Sequence, residues 1–215
     1  MTLKEKIDAY KEDFNARVPE ETREIMLRAT EDLRKSPQML RTIKVGDIAP
    51  DFSLKNFNGA EVALSDLIDR GPVVLVFYRG RWWPYCNLEL EALSAAADLF
   101  SKFDATLVLI SPQLPEHNKA IANDKNLPVD ILSDLGNEVA ARYGLKYQMP
   151  DDLIAIYQQF GLDVPEHNGD DSWTLPIPAT LIIDNEGIIR FADINADYTV
   201  RPEPEETVQA LKRIV

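Results

Sequence analysis

One cysteine, Cys86, sits in a setting that could do chemistry. Ahead of it runs Val73-Val74-Leu75-Val76-Phe77-Tyr78, then Arg79-Gly80-Arg81-Trp82-Trp83-Pro84-Tyr85-Cys86. A continuous β-branched and aromatic run reads as a strand buried on both faces. Proline suits the first turn of a helix, where a missing N–H costs nothing. Pro84 therefore puts Cys86 in a first helical turn, among free backbone N–H groups and at the positive end of the helix dipole. Arg79 and Arg81 add positive charge nearby. All three influences favour thiolate over thiol, and the thiolate is the nucleophilic, oxidisable form. The carboxyl end of a central strand is also where open α/β sheets place their ligands. A lone cysteine is most often a small buried apolar residue; these neighbours argue for a reactive one.

The residue counts close off other chemistry. A single cysteine among 215 residues excludes an internal disulfide and a multi-thiolate zinc site. The two histidines, His117 and His167, lie in polar stretches at no metal-ligand spacing and read as surface residues. No metal and no cofactor is expected. A formal net charge of −13 argues against a nucleic-acid partner, whose binding rests on clustered cations. No apolar run approaches the ~18–20 residues needed to span a bilayer, so no membrane partner is expected. Met1-Thr2-Leu3-Lys4-Glu5-Lys6 has no apolar signal core behind it, which points to a soluble, cytoplasmic chain.

Elements that could position Cys86 follow from periodicity. Leu3, Ile7, Tyr10, Phe14 and Val18 share one helix face, and after Pro19 a second amphipathic stretch carries Ile25, Met26, Ala29 and Leu33. This helical extension, 1–43, packs on its own domain or provides a dimer contact; the length of the first stripe favours a homodimer. From 44 onward strands and helices alternate, which indicates an α/β sheet. Asn58-Gly59 marks a hairpin, and Ser65-Asp66-Leu67 a helix start. Leu88–Phe103 has helical spacing, 105–110 reads as a second buried strand, and 117–123 as a helix. A short strand spans 129–132, and a helix spans 137–143, ended by Gly144. Residues 145–178 form a long irregular segment with one helix at 151–160, of the kind that serves as a lid or a packed insertion. In it Asp170, Asp171 and Trp173 read as loop caps and an anchor, or as a cover over the thiol. A hairpin of 181–184 with 188–191 and a helix over 205–215 complete the chain.

From Lys44 to Val215 the chain resembles a peroxiredoxin-like member of the alkyl hydroperoxide reductase/thiol-specific antioxidant family, within the thioredoxin-fold superfamily. The resemblance rests on Val45-Gly46-Asp47-Ile48-Ala49-Pro50-Asp51-Phe52, on Phe77 to Leu90 around Cys86, on Asn168 to Trp173, and on Leu175-Pro176-Ile177-Pro178-Ala179-Thr180. It implies a thioredoxin-like fold, a central mixed sheet flanked by helices, with the 1–43 extension outside it. It also implies a thiol-dependent peroxidase: Cys86 attacks hydrogen peroxide or an organic hydroperoxide and becomes a sulfenic acid. An external thiol, namely thioredoxin, glutaredoxin or glutathione, then reduces it.

Departures from the pattern bear on the mechanism. The family places a Pro seven residues and a Thr three residues before its peroxidatic cysteine; here those positions hold Arg79 and Trp83. Where its distant Arg belongs, six residues before Asp184, stands Pro178, the thioredoxin-like choice, expected to be cis. Arg79 or Arg81 is then the expected source of the guanidinium. Relatives in this subgroup read Trp-Cys-Pro-Tyr-Cys, so Trp83 replaces the first thiol of a C-x-x-C pair and no internal disulfide can close. Trp83 is expected to pack beside Cys86. The supporting site is thus Arg79, Arg81, Trp83, Pro84 and Pro178. The competing readings are a redox-inactive binding or scaffold protein of thioredoxin fold, and a monothiol disulfide reductase.

Overall fold

The computed structural model describes residues 1–125, 127 and 129–214. Two amphipathic helices come first. Thr2 and Glu5 form a capping box that starts α1 (Leu3–Arg17), and α2 (Glu20–Lys35) follows Pro19. A short α3 (Pro37–Leu40) leads to the Asn58-Gly59 hairpin of β1 (Ser53–Lys55) and β2 (Glu61–Ala63), and then to α4 (Leu64–Ile68).

The central sheet is built on β3 (Val73–Phe77), in which every residue is buried. It runs parallel to β4 (Thr106–Ser111), which in turn runs parallel to β5 (Asp130–Ser133). On its other side β3 pairs antiparallel with β8 (Ala179–Ile183), and β8 with β9 (Ile189–Ile194). The order β5-β4-β3-β8-β9 is the mixed, helix-flanked sheet expected from the resemblance. Strand alternation divides the core in two. Val74, Val76, Leu107 and Leu109 face Leu90, Leu93 and Phe100, whereas Val73, Leu75, Val108 and Ile110 face Phe52 and Tyr143. Each such side chain contributes about 1.5–3 kcal/mol by leaving water.

The predicted Leu88–Phe103 helix is two pieces, α5 (Pro84–Ala95) and α6 (Ala97–Ser101), broken at Ala96. Next come α7 (Pro115–Lys125) and a 3-10 turn (Leu135–Asn137) leading into α8 (Glu138–Arg142). The segment 145–178 is more regular than its composition suggests. It holds β6 (Lys146–Gln148), α9 (Asp151–Gln159), α10 (Val164–Asn168) and β7 (Thr174–Pro176), with β6 and β7 paired antiparallel. Asp170 does cap its loop, accepting the Ser172 N–H at 2.8 Å. The last helix, α11 (Pro204–Leu211), is shorter than the predicted 205–215, and Val215 lies outside the described residues.

The stripe on α1 is used within the chain itself. Leu3 and Ile7 are buried, Tyr10 meets Tyr85 edge-on at 5.2 Å, and Phe14 meets Phe160 at 6.0 Å. Tyr10, Phe14 and Val18 of the same stripe stay half-buried. Among the described residues no helix is long and apolar enough to cross a membrane, and no group of three or more His, Cys, Asp or Glu could hold a metal ion.

Candidate functional site

The strand-to-helix connection places Cys86 as the sequence requires. Past β3, the Tyr78 N–H still donates to Ile110 O at 3.0 Å, carrying the sheet to the edge of the site. Gly80 then turns the chain at φ +155°, where a Cβ would lie 2.4 Å from Trp82 Nε1; a side chain here would be both strained and obstructed. The Arg81 N–H donates to Gln113 Oε1 at 2.9 Å, which fixes the loop. Trp83 is the N-cap and Pro84 the first helical residue of α5. The Trp83 carbonyl accepts the N–H groups of Cys86 (3.0 Å) and Asn87 (3.2 Å), so Trp83 anchors the helix through its backbone. Cys86 is free and has no exposed surface.

The guanidinium beside the thiol belongs to neither predicted arginine. Arg201, in the connection from β9 to α11, places Nη2 3.9 Å from Cys86 Sγ. Its Nε donates to Glu89 Oε2 at 2.8 Å, and Glu89 lies one turn beyond Cys86 on α5. The two charged side chains are only 2% and 3% exposed. Burial pushes the Glu89 carboxyl above its ordinary range, with Arg201 opposing it. Burial also works against the charge on Arg201, but Glu89 and Cys86 outweigh it and raise its pKa. Removing both charges from water is costly, so a buried pair aimed at a sulfur is not what an inert core thiol needs.

The extension secures the Arg201 segment. Glu203, the N-cap of α11, accepts the N–H of Leu3 at 3.0 Å and of Lys4 at 2.7 Å, and Lys11 Nζ donates to Thr199 Oγ1 at 3.3 Å. One carboxylate thus holds the amino end of α1 two residues from Arg201, where the helix dipole favours it.

Arg79 is buried at 3% exposure, with its Cζ 4.9 Å from the Tyr198 ring centroid and 5.9 Å from that of Trp83. Its Nη1 is 3.4 Å from Tyr157 Oη. Arg81 is part-exposed and pairs with Asp124 at 3.3 Å. Among the described residues neither arginine hydrogen-bonds Cys86. Trp83 is buried as expected; it stacks on Tyr157 at 5.1 Å and meets Tyr198 edge-on at 5.2 Å. Tyr157 comes from α9, so the 145–178 segment covers the N-cap of the cysteine helix.

Two expectations need correction. Pro178 lies at the expected end of the sheet, since Ala179 pairs with Phe77, but its peptide is trans. The Ile177 N–H donates to Leu145 O at 2.7 Å directly after the β6–β7 pairing, and this extended path passes straight into β8. His117 and His167 are part-buried rather than simple surface residues, with ring centroids 4.5 Å apart. Burial, then the neighbouring His117, lowers the pKa of His167.

Sequence reasoning missed Glu89, Arg201, Tyr157 and Tyr198. Glu89 carried a legible signal, an acid beside Leu90 and three residues after Cys86 on a helix's inward face. Arg201, 115 residues away, carried none.

The model of the AhpC/TSA family matches residues 45–192, which stops short of Arg201. A candidate peroxiredoxin, bcp, of Helicobacter pylori strain J99 is 36% identical over 150 residues, covering 70% of this chain and 87% of the relative. The chloroplastic peroxiredoxin Q of Sedum lineare is 30% identical over 182 residues, covering 85% and 84%. Among solved structures, the peroxidoxin BcpB of Mycobacterium tuberculosis superimposes with a TM-score of 0.64 at 24% identity, over 80% of this chain and 99% of that one.

Proposed function

Because the chain belongs to the AhpC/TSA family, we propose that the Cys86 site is the centre of a single-cysteine thiol peroxidase, an oxidoreductase that reduces hydrogen peroxide or organic hydroperoxides. Cys86 thiolate attacks the terminal oxygen of ROOH. The S–O bond forms as the O–O bond breaks, sulfur loses two electrons, and the leaving RO⁻ takes a proton to become ROH. Cys86 is then a sulfenic acid. An outside thiol condenses with it, releasing water and leaving a mixed disulfide; a second thiol attacks that bond, restores Cys86 and leaves as the oxidised disulfide. Thioredoxin, glutaredoxin and glutathione each supply such thiols, and a reducing cytoplasm suits the cycle.

The observation that carries this reading is the buried Glu89–Arg201 pair with Nη2 directed at Sγ. A guanidinium held there stabilises negative charge on sulfur or on the departing oxygen, in surroundings that exclude water. The complete burial of Cys86 favours the rival reading, an inert thiol in a binding protein. On the peroxidase reading, the Arg201 segment or the Trp83 ring moves to admit the peroxide.

Intact-mass measurement with a sulfenic-acid trap separates the two. One equivalent of hydrogen peroxide is expected to yield a single trapped adduct in the wild type and none in Cys86→Ser. A wild type that forms no adduct in excess peroxide contradicts the peroxidase reading.

A further inference from the structure

Arg79 and Arg201 are both buried, but only Arg201 has a counter-charge. Among the described residues no carboxylate pairs with Arg79. Its Nε has no hydrogen-bond partner, and the Tyr157 hydroxyl at 3.4 Å is a long contact. The rings of Tyr198 and Trp83 attract the cation through their faces but do not neutralise it. A buried charge normally has a partner of opposite sign. An unpaired guanidinium at 3% exposure points to an anion that the protein itself does not supply.

The space beside Arg79 is small, and a larger groove shares three of its lining residues. A void of about 10 Å³ is lined by Arg79 together with Ala29, Leu33 and Tyr147. That is room for one small atom, such as a single carboxylate oxygen. The same three residues line an adjoining groove of about 350 Å³ between α2 and the start of α9, where Pro150 also contributes. Ala29, Leu33 and Pro150 give it apolar surface, and Ser36, Gln38 and Gln148 add uncharged polar groups. The one charged residue lining the groove is Asp32, which is exposed. Burial, the main influence, holds the Tyr147 hydroxyl above its ordinary range; Arg79 opposes this, and Asp152 and Asp32 reinforce it. Tyr147 lines both the void and the groove.

We propose that Arg79 anchors a second ligand site, separate from Cys86, which takes an aliphatic monocarboxylate: the carboxylate on Arg79 and Tyr147, the chain along Ala29, Leu33 and Pro150. A single unpaired cation suits one negative charge. Asp32 and the net charge of −13 disfavour a ligand with several. Neither the fold family nor the peroxidase reading is needed for this site, so it stands or falls independently of them.

The test is titration with decanoate, below its micellar concentration, followed by calorimetry and by tryptophan emission. It is run on the full chain and repeated in Cys86→Ser, so that failure of the peroxidase reading leaves the result intact. Decanoate is expected to bind one to one, at least tenfold more tightly than 1-decanol. Arg79→Gln is expected to lose at least tenfold in decanoate affinity with decanol unchanged. Asp32→Asn, at an exposed position that leaves the fold untouched, is expected to gain two- to fivefold for decanoate alone, which keeps the test decisive if Arg79→Gln does not fold. Equal binding of decanoate and decanol would leave only an apolar groove and overturn the proposal. Acetate or chloride binding as tightly as decanoate would make this a small-anion site and also overturn it, as would the absence of saturable binding.

Discussion

Removing Glu89 tests whether the buried ion pair serves the fold or the thiol. Glu89→Leu leaves the Arg201 guanidinium, 2% exposed, without its carboxylate partner at 2.8 Å. Uncompensated buried charges of this kind cost about 3–5 kcal/mol. For a chain of this length each kcal/mol moves the melting temperature by about 2–4 °C, so a fall of about 6–20 °C is expected in a calorimetric scan. Glu89→Leu with Arg201→Met removes both charges, and replacing a buried pair by apolar groups is often neutral or stabilising. The double variant should therefore melt near the wild type. Its peroxide reaction should nevertheless be slower by about 10²–10³, the usual cost of losing one preorganised donor. Stability and rate thus part company in the double variant. A double variant that keeps the wild-type rate would reduce Arg201 to a structural role. A single variant that loses less than about 1 kcal/mol would show that the pair is not held away from water.

Two further outcomes are expected. Trp83→Cys places a thiol three residues before Cys86 across a helix start, a spacing that can meet disulfide geometry; one equivalent of peroxide should then remove two hydrogens from the intact mass, whereas the wild type gains one oxygen. Loss of the buried ring should cost about 3–5 kcal/mol, and a variant that gains oxygen instead would refute the pairing. At Asp184, burial works against the carboxylate, but the N–H groups of Ile188 and Glu186 and the Arg190 guanidinium outweigh it and hold its pKa below the usual range. A depressed folded-state pKa gives stability that is present above the unfolded value and lost as pH falls through the folded one. Urea midpoints of the wild type should thus fall below about pH 4, and Asp184→Asn should lack that part of the acid decline; identical acid limbs would refute the assignment.

The parts of the site set by local pattern were legible in the sequence. Val73–Tyr78 reads as a central strand because a β-branched and aromatic run suits burial on both faces, and Pro84 suits the first turn of a helix, which puts Cys86 there. What escaped was long-range. The apolar face of α5 signalled burial, but no period in the chain says that Arg201 folds back onto Cys86 and Glu89. Arg79 is near Cys86 along the chain but not in contact with its sulfur. The strand ending at Phe77 and the turn at Gly80 instead send its side chain among Trp83, Tyr157 and Tyr198. The 145–178 segment looked irregular because β6 and β7 are three residues each and find each other only through tertiary pairing. The trans peptide at Pro178 has the same origin, since the β6–β7 pairing dictates the extended entry into β8.

A single-cysteine peroxidase requires that Cys86 turn over peroxide. Stopped-flow measurement of hydrogen peroxide consumption in excess thiol reductant, with wild type and Cys86→Ser side by side, tests it most directly. The wild type is expected to consume peroxide catalytically, and Cys86→Ser not above the uncatalysed background. Equal background rates for the two proteins would contradict it.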